Sequence, residues 1–206
     1  MNNTNSEDCF EAIDIIKAAP LDRYKMLMAS IVPRPIAFVS TLNDEDKANL
    51  APFSNFMLIS SSRAIMAFSA GGVTGGGGRL AKDTLNHIRK RGEYVINLAP
   101  DTLAGEVQAC SEDFPPEVSE ADKVGLTMLA SHVIKTPRIA ECTIQYECKL
   151  EDIRQYGEAH LVVGHAVYAH ARKGLVREFK IDPREYAPLA RIGGRVYCKL
   201  GDLINV

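Results

Sequence analysis

The 206-residue sequence has no long apolar run and no excess of basic residues. No stretch approaches the ~20 consecutive apolar residues of a membrane helix, and the polar start at residues 1–8 lacks the basic and apolar regions of a signal peptide. Lysine and arginine number 24 against 26 acidic residues, a formal charge of −2, which leaves no positive surface for wrapping nucleic acid. We therefore expect a cytoplasmic protein without membrane or nucleic-acid partners.

Closely spaced cysteine pairs are also missing. The five cysteines form no C-x-x-C motif and are odd in number. Cys142 and Cys148 are nearest to each other, but they share a strand-like segment in which six residues span roughly 20 Å, so they cannot form a disulfide there. We expect free, buried thiols.

Several catalytic signatures are absent. There is no G-x-S-x-G and no H-E-x-x-H. The glycine run at 71–78 contains no G-x-G-x-x-G and is followed by Arg79-Leu80 rather than G-K-[ST], which disfavours a dinucleotide or P-loop site and favours a flexible loop. Three histidines, His160, His165 and His170, are spaced by five and so alternate between strand faces, which disfavours a metal site.

Apolar periodicity predicts a barrel rather than a layered nucleotide-binding fold. With 46% hydrophobic residues, the chain has enough apolar material for one domain over residues 1–206, with the barrel at about 20–200 and an N-terminal extension at 1–19. In the clearest strand, Cys142–Leu150, even positions are apolar and odd positions polar, so we expect one buried face. The other predicted strands are Ile36–Leu42, Asn55–Ser60, Ala64–Ala70, Tyr94–Leu98 and Leu161–Ala171.

Three helices are predicted. The first covers Leu21–Ala29, and another follows Pro100-Asp101. The best marked is Asp83–Arg91, with Asp83 as N-cap, basic residues in the last turn and Gly92 just beyond the C-terminus. A charged, turn-rich segment at Thr41–Lys47 predicts a hairpin.

The most informative segment is Asn49–Phe56, since it places Pro52 within strand-forming residues. Proline donates no hydrogen bond to a sheet and restricts its neighbour, so we expect disrupted pairing that leaves main-chain groups free for a flat ligand. The main chain of Asn49, Leu50, Ala51 and Pro52 would match the polar edge of such a ring. Further contacts are expected from Ser54, Asn55 and Phe56.

A phosphate on this ligand needs local positive potential in a net acidic protein. The start of the Thr84–Arg91 helix and Lys82 would supply it, with hydroxyl donors from Ser40, Thr41 and Thr84. Arg34 is either a further ligand or an anchor for the turn between its two prolines. Asp83 is more readily explained as a helix cap than as a ligand of the phosphate. The Ser69 side chain either hydrogen-bonds to nearby backbone or contacts the ring.

Ordered motifs carry a resemblance over most of the chain. They are Pro33–Thr41 (PRPIAFVST), Asn49–Phe56 (NLAPFSNF), Phe68-Ser69, Lys82–Thr84 (KDT), Gly92–Asn97 (GEYVIN) and the closing Pro188–Tyr197 segment. Together they resemble the flavin reductase-like family of FMN-binding split barrels. The resemblance implies a mainly β fold with flanking helices: a six-stranded antiparallel Greek-key split β-barrel. It also implies a homodimer with flavin near the subunit interface, and FMN rather than FAD as cofactor.

The activity implied by the resemblance is an NAD(P)H-dependent flavin reductase that passes electrons through bound flavin to an acceptor. Two alternatives stay open: a flavoredoxin-like electron carrier reduced by a partner protein, and a flavin-binding protein without turnover. The chain departs from the family at Arg63-Ala64, where relatives commonly carry two prolines, and in the glycine run at 71–78. Both departures bear on the second substrate more than on the flavin.

Overall fold

The computed structural model describes residues 10–71, 78–112 and 120–206, and only the backbone of residues 78–82. No helix in these ranges is long and apolar enough to cross a membrane. The helices are α1 (Pro20–Ser30), α2 (Gly78–Arg91), α3 (Ala104–Ala109) and α4 (Glu120–Val124), with 3-10 turns at Asp101–Leu103 and Pro183–Glu185.

Antiparallel strands form the rest of the described architecture. They are β1 (Arg34–Pro35), β2 (Ala37–Leu42), β3 (Ala48–Phe53), β4 (Phe56–Ser60), β5 (Ile65–Ala70), β6 (Glu93–Leu98), β7 (Met128–Leu129), β8 (Arg138–Ile139), β9 (Ile144–Tyr156), β10 (Ala159–Ala171), β11 (Ala190–Gly193) and β12 (Val196–Cys198). The main sheet has the order β3-β2-β6-β9-β10-β5-β4, and smaller sheets are β1-β11-β12 and β7-β8. The predicted mainly β split-barrel class is confirmed, with seven strands in the main sheet rather than six.

Two apolar cores cover the two faces of the main sheet. Successive residues of β2 alternate between them. Val39 packs with α2 in one cluster, which we call the inner core, and Phe38 packs with residues of α3 and α4 in the other, the outer core. Within the inner core the Phe68 ring packs against two other rings. Its centroid lies 4.8 Å from that of Phe53 and 5.7 Å from that of Tyr94. Each fully buried large side chain contributes about 1.5–3 kcal/mol.

Most predicted elements are present. Helix α1 matches the predicted Leu21–Ala29 within one residue, and the helix after Pro100 is the 3-10 turn followed by α3. Gly92 adopts the expected left-handed conformation (φ +67°), and its N–H donates to the Ile88 carbonyl at 2.8 Å. The predicted strand pair turns at Gly157 (φ +59°) between β9 and β10.

The predicted start of α2 is wrong. The helix begins at Gly78, so Asp83 lies in its second turn and is not an N-cap. Residues Arg79–Lys82 are good helix formers, and they extend the helix past a residue that locally looks like a cap. Residues 72–77 of the predicted flexible glycine loop lie outside the described residues.

The predicted disruption of pairing by Pro52 is also wrong. Ala48–Phe53 is a regular strand, with Pro52 opposite Phe38 of β2. β3 is an edge strand of the main sheet, where a proline is tolerated because its missing N–H need not face a partner strand. The expected hairpin joins β2 to β3, closed by the Asn43 N–H and the Lys47 carbonyl at 3.0 Å.

The predicted single buried face of β9 is wrong as well. Its polar residues Gln145 and Glu147 are only 4% and 0% exposed, because the segment 131–141 folds over them. The thiols are free as predicted at Cys110, Cys142 and Cys148, which are buried, and at the half-buried Cys198, whereas Cys9 lies outside the described residues. Burial raises the pKa of Cys148 to about 12.

Candidate functional site

A polar cluster joins the β2–β3 hairpin to α2. Thr41 lies opposite Asn49 across the hairpin. The Asn49 Nδ2 atom donates to Thr84 Oγ1 at 3.2 Å and to Thr41 Oγ1 at 3.4 Å, and Thr41 Oγ1 lies 3.1 Å from His87 Nδ1. We call Thr41, Asn49, Thr84 and His87 the polar cluster. The structure thus brings together three residues that the sequence predicted for one site.

His87 is a member that the sequence reasoning missed. A signal was available, because residues three apart share a helix face and His87 follows Thr84 by three. Burial lowers the pKa of His87, with Asp83 and Asp44 opposing this shift and Arg91 adding to it. A neutral ring accepts the Thr41 hydroxyl hydrogen at Nδ1, while the Thr41 oxygen accepts from Asn49.

Thr84 keeps one unused donor within the cluster. It is fully buried, and its oxygen accepts from Asn49. No acceptor for the Thr84 hydroxyl hydrogen is found among the hydrogen bonds of the described residues. Since a buried donor without an acceptor is unfavourable, the cluster has capacity for an additional acceptor such as a phosphate oxygen.

The free edge of β3 lies beside α4. Leu50 and Ala51 are buried, and Pro52 is half-buried. Glu120 is 6% exposed; burial raises the pKa of its carboxyl, and the backbone N–H groups of Glu120 and Leu50 oppose that shift. The Leu50 amide therefore faces Glu120 and is not left free as predicted. Glu120 follows a proline-rich loop in the sequence and carries no local signal.

Residues after β3 form a local network. Ser54 Oγ accepts from Arg34 Nε at 3.4 Å. Asn55 is exposed, and its carbonyl accepts from the Ser69 N–H at 2.8 Å, whereas the contact of the Ser69 hydroxyl stays a prediction. Phe56 is half-buried against the inner core. Ser54 and Asn55 connect the end of β3 to β4, and Phe56 is the first residue of β4.

Arg34 is an anchor. It is 5% exposed and donates to the carbonyls of Met28, Ile31 (2.8 Å) and Ile192 (3.1 Å). Burial lowers the pKa of Arg34; Tyr24 opposes and Arg191 adds to the shift. These bonds tie the end of α1 to β11 rather than the turn between the two prolines, and they engage the Arg34 guanidinium with main-chain carbonyls.

Ser40 points away from the polar cluster. Its Oγ donates to the Pro137 carbonyl at 2.6 Å and accepts from Asn97 Nδ2 at 3.2 Å, on the outer face of the sheet. The grouping of Ser40 with Thr41 was wrong because adjacent strand residues face opposite sides.

Lys82 and Asp83 both lie in the second turn of α2. The side chain of Lys82 lies outside the described residues, so its predicted contact stays a prediction. Asp83 is half-buried, and its carboxylate opposes the lowering of the His87 pKa by burial. Since the helix begins at Gly78, its positive end lies about 9 Å before Thr84 at ~1.5 Å per residue.

The strand histidines make separate pairs. His165 Nε2 lies 2.7 Å from Glu151 Oε2, and His170 Nε2 lies 2.6 Å from Glu147 Oε1. The described residues contain no group of three or more histidine, cysteine or acidic side chains placed to hold a metal ion.

Comparisons with known proteins agree with this architecture. A family model described as "Flavin reductase like domain" matches residues 28–196. An uncharacterised protein of Aquifex aeolicus is 32% identical over 177 residues, which cover 85% of this chain and 89% of that protein. The YwrF protein of Bacillus subtilis is 30% identical over 189 residues, covering 88% and 90%.

Solved structures share the fold closely. Nitrilotriacetate monooxygenase component B from Bacillus cereus superposes with a TM-score of 0.88 at 28% identity, covering 96% of this chain and 98% of that one. The 2-nitrobenzoate 2-nitroreductase NbaA of Pseudomonas fluorescens gives a TM-score of 0.85 at 29% identity, with 95% of each chain covered. A flavoredoxin of Desulfovibrio vulgaris shares the fold, with a TM-score of 0.72 at 15% identity over 84% of this chain and 90% of that one.

Proposed function

This chain belongs to the flavin reductase-like family, and from that premise we propose that it is an FMN-dependent oxidoreductase that accepts electrons from NAD(P)H and passes them to a further acceptor. Two relatives at 28–29% identity are a monooxygenase component and a nitroreductase, both redox proteins. The single observation that carries the proposal is the juxtaposition of the polar cluster with the free edge of β3.

The residues present fit a phosphorylated planar group. Apart from the Leu50 N–H, which faces Glu120, the edge of β3 offers main-chain polar groups without a strand partner in the described sheet. Pro52 and Phe56 lie half-buried at its end. Among the hydrogen bonds of the described residues the Thr84 hydroxyl finds no acceptor, so it would donate to a phosphate oxygen, and Lys82 lies two residues before it on α2. FMN, with one phosphate, needs no more than this single anion site.

When bound, the flavin supplies the electron-transfer chemistry. The residues of this chain bind and orient it. Asn49 bonds to Thr41 and Thr84 and so positions the side chains that would bind the flavin phosphate. The β2–β3 hairpin would position the main chain that binds the flavin ring. The buried Glu120 beside Leu50 places a carboxyl group near the same edge, where it would influence the polarity around the ring.

We also propose that the protein is a cytoplasmic homodimer. Met57, Leu58 and Ile59 on the edge strand β4 are consecutive apolar residues exposed to 52%, 60% and 51%. Helix α1 contributes no buried side chain although Leu21, Met26 and Leu27 are apolar. Exposed apolar side chains of this number favour burial against a second copy. Light scattering of the wild type and of Leu58→Glu tests this: a monomeric wild type contradicts it.

The test of function is anaerobic mixing of the FMN-loaded protein with NADH and with NADPH. Bleaching of the visible flavin absorption at a catalytic rate supports the reductase, and the faster nucleotide is the preferred one. A flavin-loaded protein that neither nucleotide bleaches contradicts the reductase and favours an electron carrier reduced by a partner protein. A folded protein that binds no flavin contradicts the whole proposal.

A further inference from the structure

A groove of about 510 Å³ lies at the end of the β9–β10 pair. Its lining residues come from β8 and the segment after it and from the ends of β9 and β10: Arg138, Ala140, Glu141, Cys142, Thr143, Gln145, Tyr168, Ala169, His170, Ala171 and Arg172. Gln145 lies opposite Asn97, which bonds to Ser40 and Ile139 on the outer face. The groove is therefore on the opposite face of the sheet from the polar cluster.

Two arginines that line the groove have guanidinium N–H donors that form no hydrogen bond within the described residues. Arg138 Nε donates to the Ala130 carbonyl at 3.2 Å, and Arg172 Nη2 donates to the Glu185 carbonyl at 2.8 Å. A guanidinium carries five N–H donors and is always charged. Neither arginine forms an ion pair with a carboxylate of the described residues. Both cations therefore retain donors for an anion that lies in the groove.

The two carboxylates nearest the groove are already engaged by protein donors. Both oxygens of Glu141 accept from the Thr127 N–H, at 3.0 and 3.1 Å. Glu147 accepts from three backbone N–H groups and lies 2.6 Å from His170 Nε2. Among the described residues neither carboxylate forms an ion pair with Arg138 or Arg172, although Glu141 lines the groove and keeps its negative charge there.

Thr143 supplies an independent observation. Its side chain is 2% exposed and lines the groove, and its Oγ1 atom has no hydrogen-bond partner. Buried hydroxyls are nearly always satisfied, so one that is not calls for an explanation. An acceptor atom of a bound ligand would satisfy it.

The size and the remaining lining define the ligand class. Small-molecule sites typically measure about 300–1,000 Å³, so the groove exceeds what a simple inorganic ion fills. Ala140, Ala169 and Ala171 add small apolar patches to a lining that is mostly polar, and the Tyr168 ring is held by stacking on His132 with centroids 4.4 Å apart. We propose that this groove binds a small organic carboxylate whose body packs against the Tyr168 ring, its carboxylate held between Arg138 and Arg172 and accepting from Thr143.

Calorimetric titration with benzoate as the probe, on protein saturated with FMN, tests this site. Benzyl alcohol, which has a similar body without the charge, is the ligand control. We expect saturable benzoate binding that Arg138→Gln and Arg172→Gln each weaken about tenfold, since each removes a charge-assisted hydrogen bond. Arg154→Gln is the matched control, because Arg154 is exposed, pairs with Asp152 and lies outside the groove. It should leave benzoate binding unchanged.

Thr143→Val separates a ligand contact from a structural role. Valine has nearly the same shape, so removal of an unpartnered hydroxyl should leave the melting temperature equal or higher while benzoate binds several-fold more weakly. The site is overturned if benzoate binds no better than benzyl alcohol, if the arginine variants bind it as the wild type does, or if FMN displaces it. Only the last of these results bears on flavin binding, which the groove variants should preserve.

Discussion

The Nε2 atom of His170 on β10 lies 2.6 Å from Oε1 of Glu147 on β9, a carboxylate that is completely buried. The same carboxylate accepts from the N–H groups of His132, Val133 and Ile134 at 2.6, 2.8 and 3.2 Å. The next two amides, of Lys135 and Thr136, donate to Glu93 Oε1 at 2.7 and 3.0 Å. Two carboxylates of neighbouring strands thus bind five consecutive amides and fix the segment over the sheet.

Glu147→Gln is therefore expected to destabilise the fold by about 3 kcal/mol, because the amide nitrogen cannot accept and leaves buried donors unpaired. Urea unfolding measures the change. Burial raises the pKa of Glu147, but hydrogen bonds from the His132 amide and from His170 outweigh it, so the net shift is downward. The stability that Glu147 contributes should be complete above pH 4.5 and fall as the pH drops below it, with a shallower fall in the variant. Glu45→Gln, at an exposed carboxylate, should behave as the wild type.

The buried His87 should make the stability of the fold depend on pH in a second, higher pH range. Burial lowers its pKa below the ordinary value of 6.5, so the unfolded chain takes up a proton that the folded protein resists. Stability should be complete above pH 6.5 and decline as the pH falls from there toward 5. His87→Asn keeps a polar group near Thr41 but does not titrate, so its melting temperature should be flat over that range. An equal decline in both proteins would contradict this assignment.

Gly164 and Tyr94 give a packing prediction. A Cβ on Gly164 would lie 2.3 Å from the Tyr94 hydroxyl oxygen and 2.7 Å from the Lys149 carbonyl oxygen. Gly164→Ala should therefore cost about 3 kcal/mol or more in urea unfolding. Tyr94→Phe removes a buried hydroxyl that has no partner, so it should be neutral or stabilising. In the double variant most of the cost should remain, because the Lys149 main chain cannot move away.

Lys82 tests the phosphate end of the candidate flavin site. Lys82→Ala should weaken FMN binding about tenfold and leave riboflavin binding nearly unchanged, since only FMN carries the phosphate. Lys90→Ala is the control on the same helix: Lys90 lies in the last turn and pairs with Asp44. Fluorescence titration of both ligands measures the ratio, and equal losses for FMN and riboflavin would remove Lys82 from the phosphate site.

Local patterns predicted much of this fold. The end of α2 just before Gly92 was predicted from a basic last turn followed by a glycine, which adopts the left-handed conformation. Most strands were predicted from their apolar periodicity. The start of α2 was not, because Asp83 has the chemistry of a cap while the residues before it favour helix. Pro52 was misjudged because an edge position depends on the order of strands, which no short segment reveals.

Long-range contacts explain the remaining differences at the site. Thr41 and Thr84 were grouped at the phosphate end, whereas Asn49 was assigned to the ring through its main chain. In the structure the Asn49 side chain bonds to both threonines. Ser40 was grouped with them although its face of β2 is covered by residues near Pro137, almost a hundred positions away. The burial of Glu147 likewise depends on a distant segment, and alternation along β9 alone predicts it to face solvent.

Equilibrium titration of FMN fluorescence with the purified protein tests the central claim most directly. We predict saturable quenching at one FMN per chain, tighter than for riboflavin, and weakened more for FMN than for riboflavin by Asn49→Leu, which removes the donor that holds Thr41 and Thr84 at the phosphate end. A folded wild-type protein that leaves FMN fluorescence unchanged, or binds it no better than Asn49→Leu does, would contradict the account.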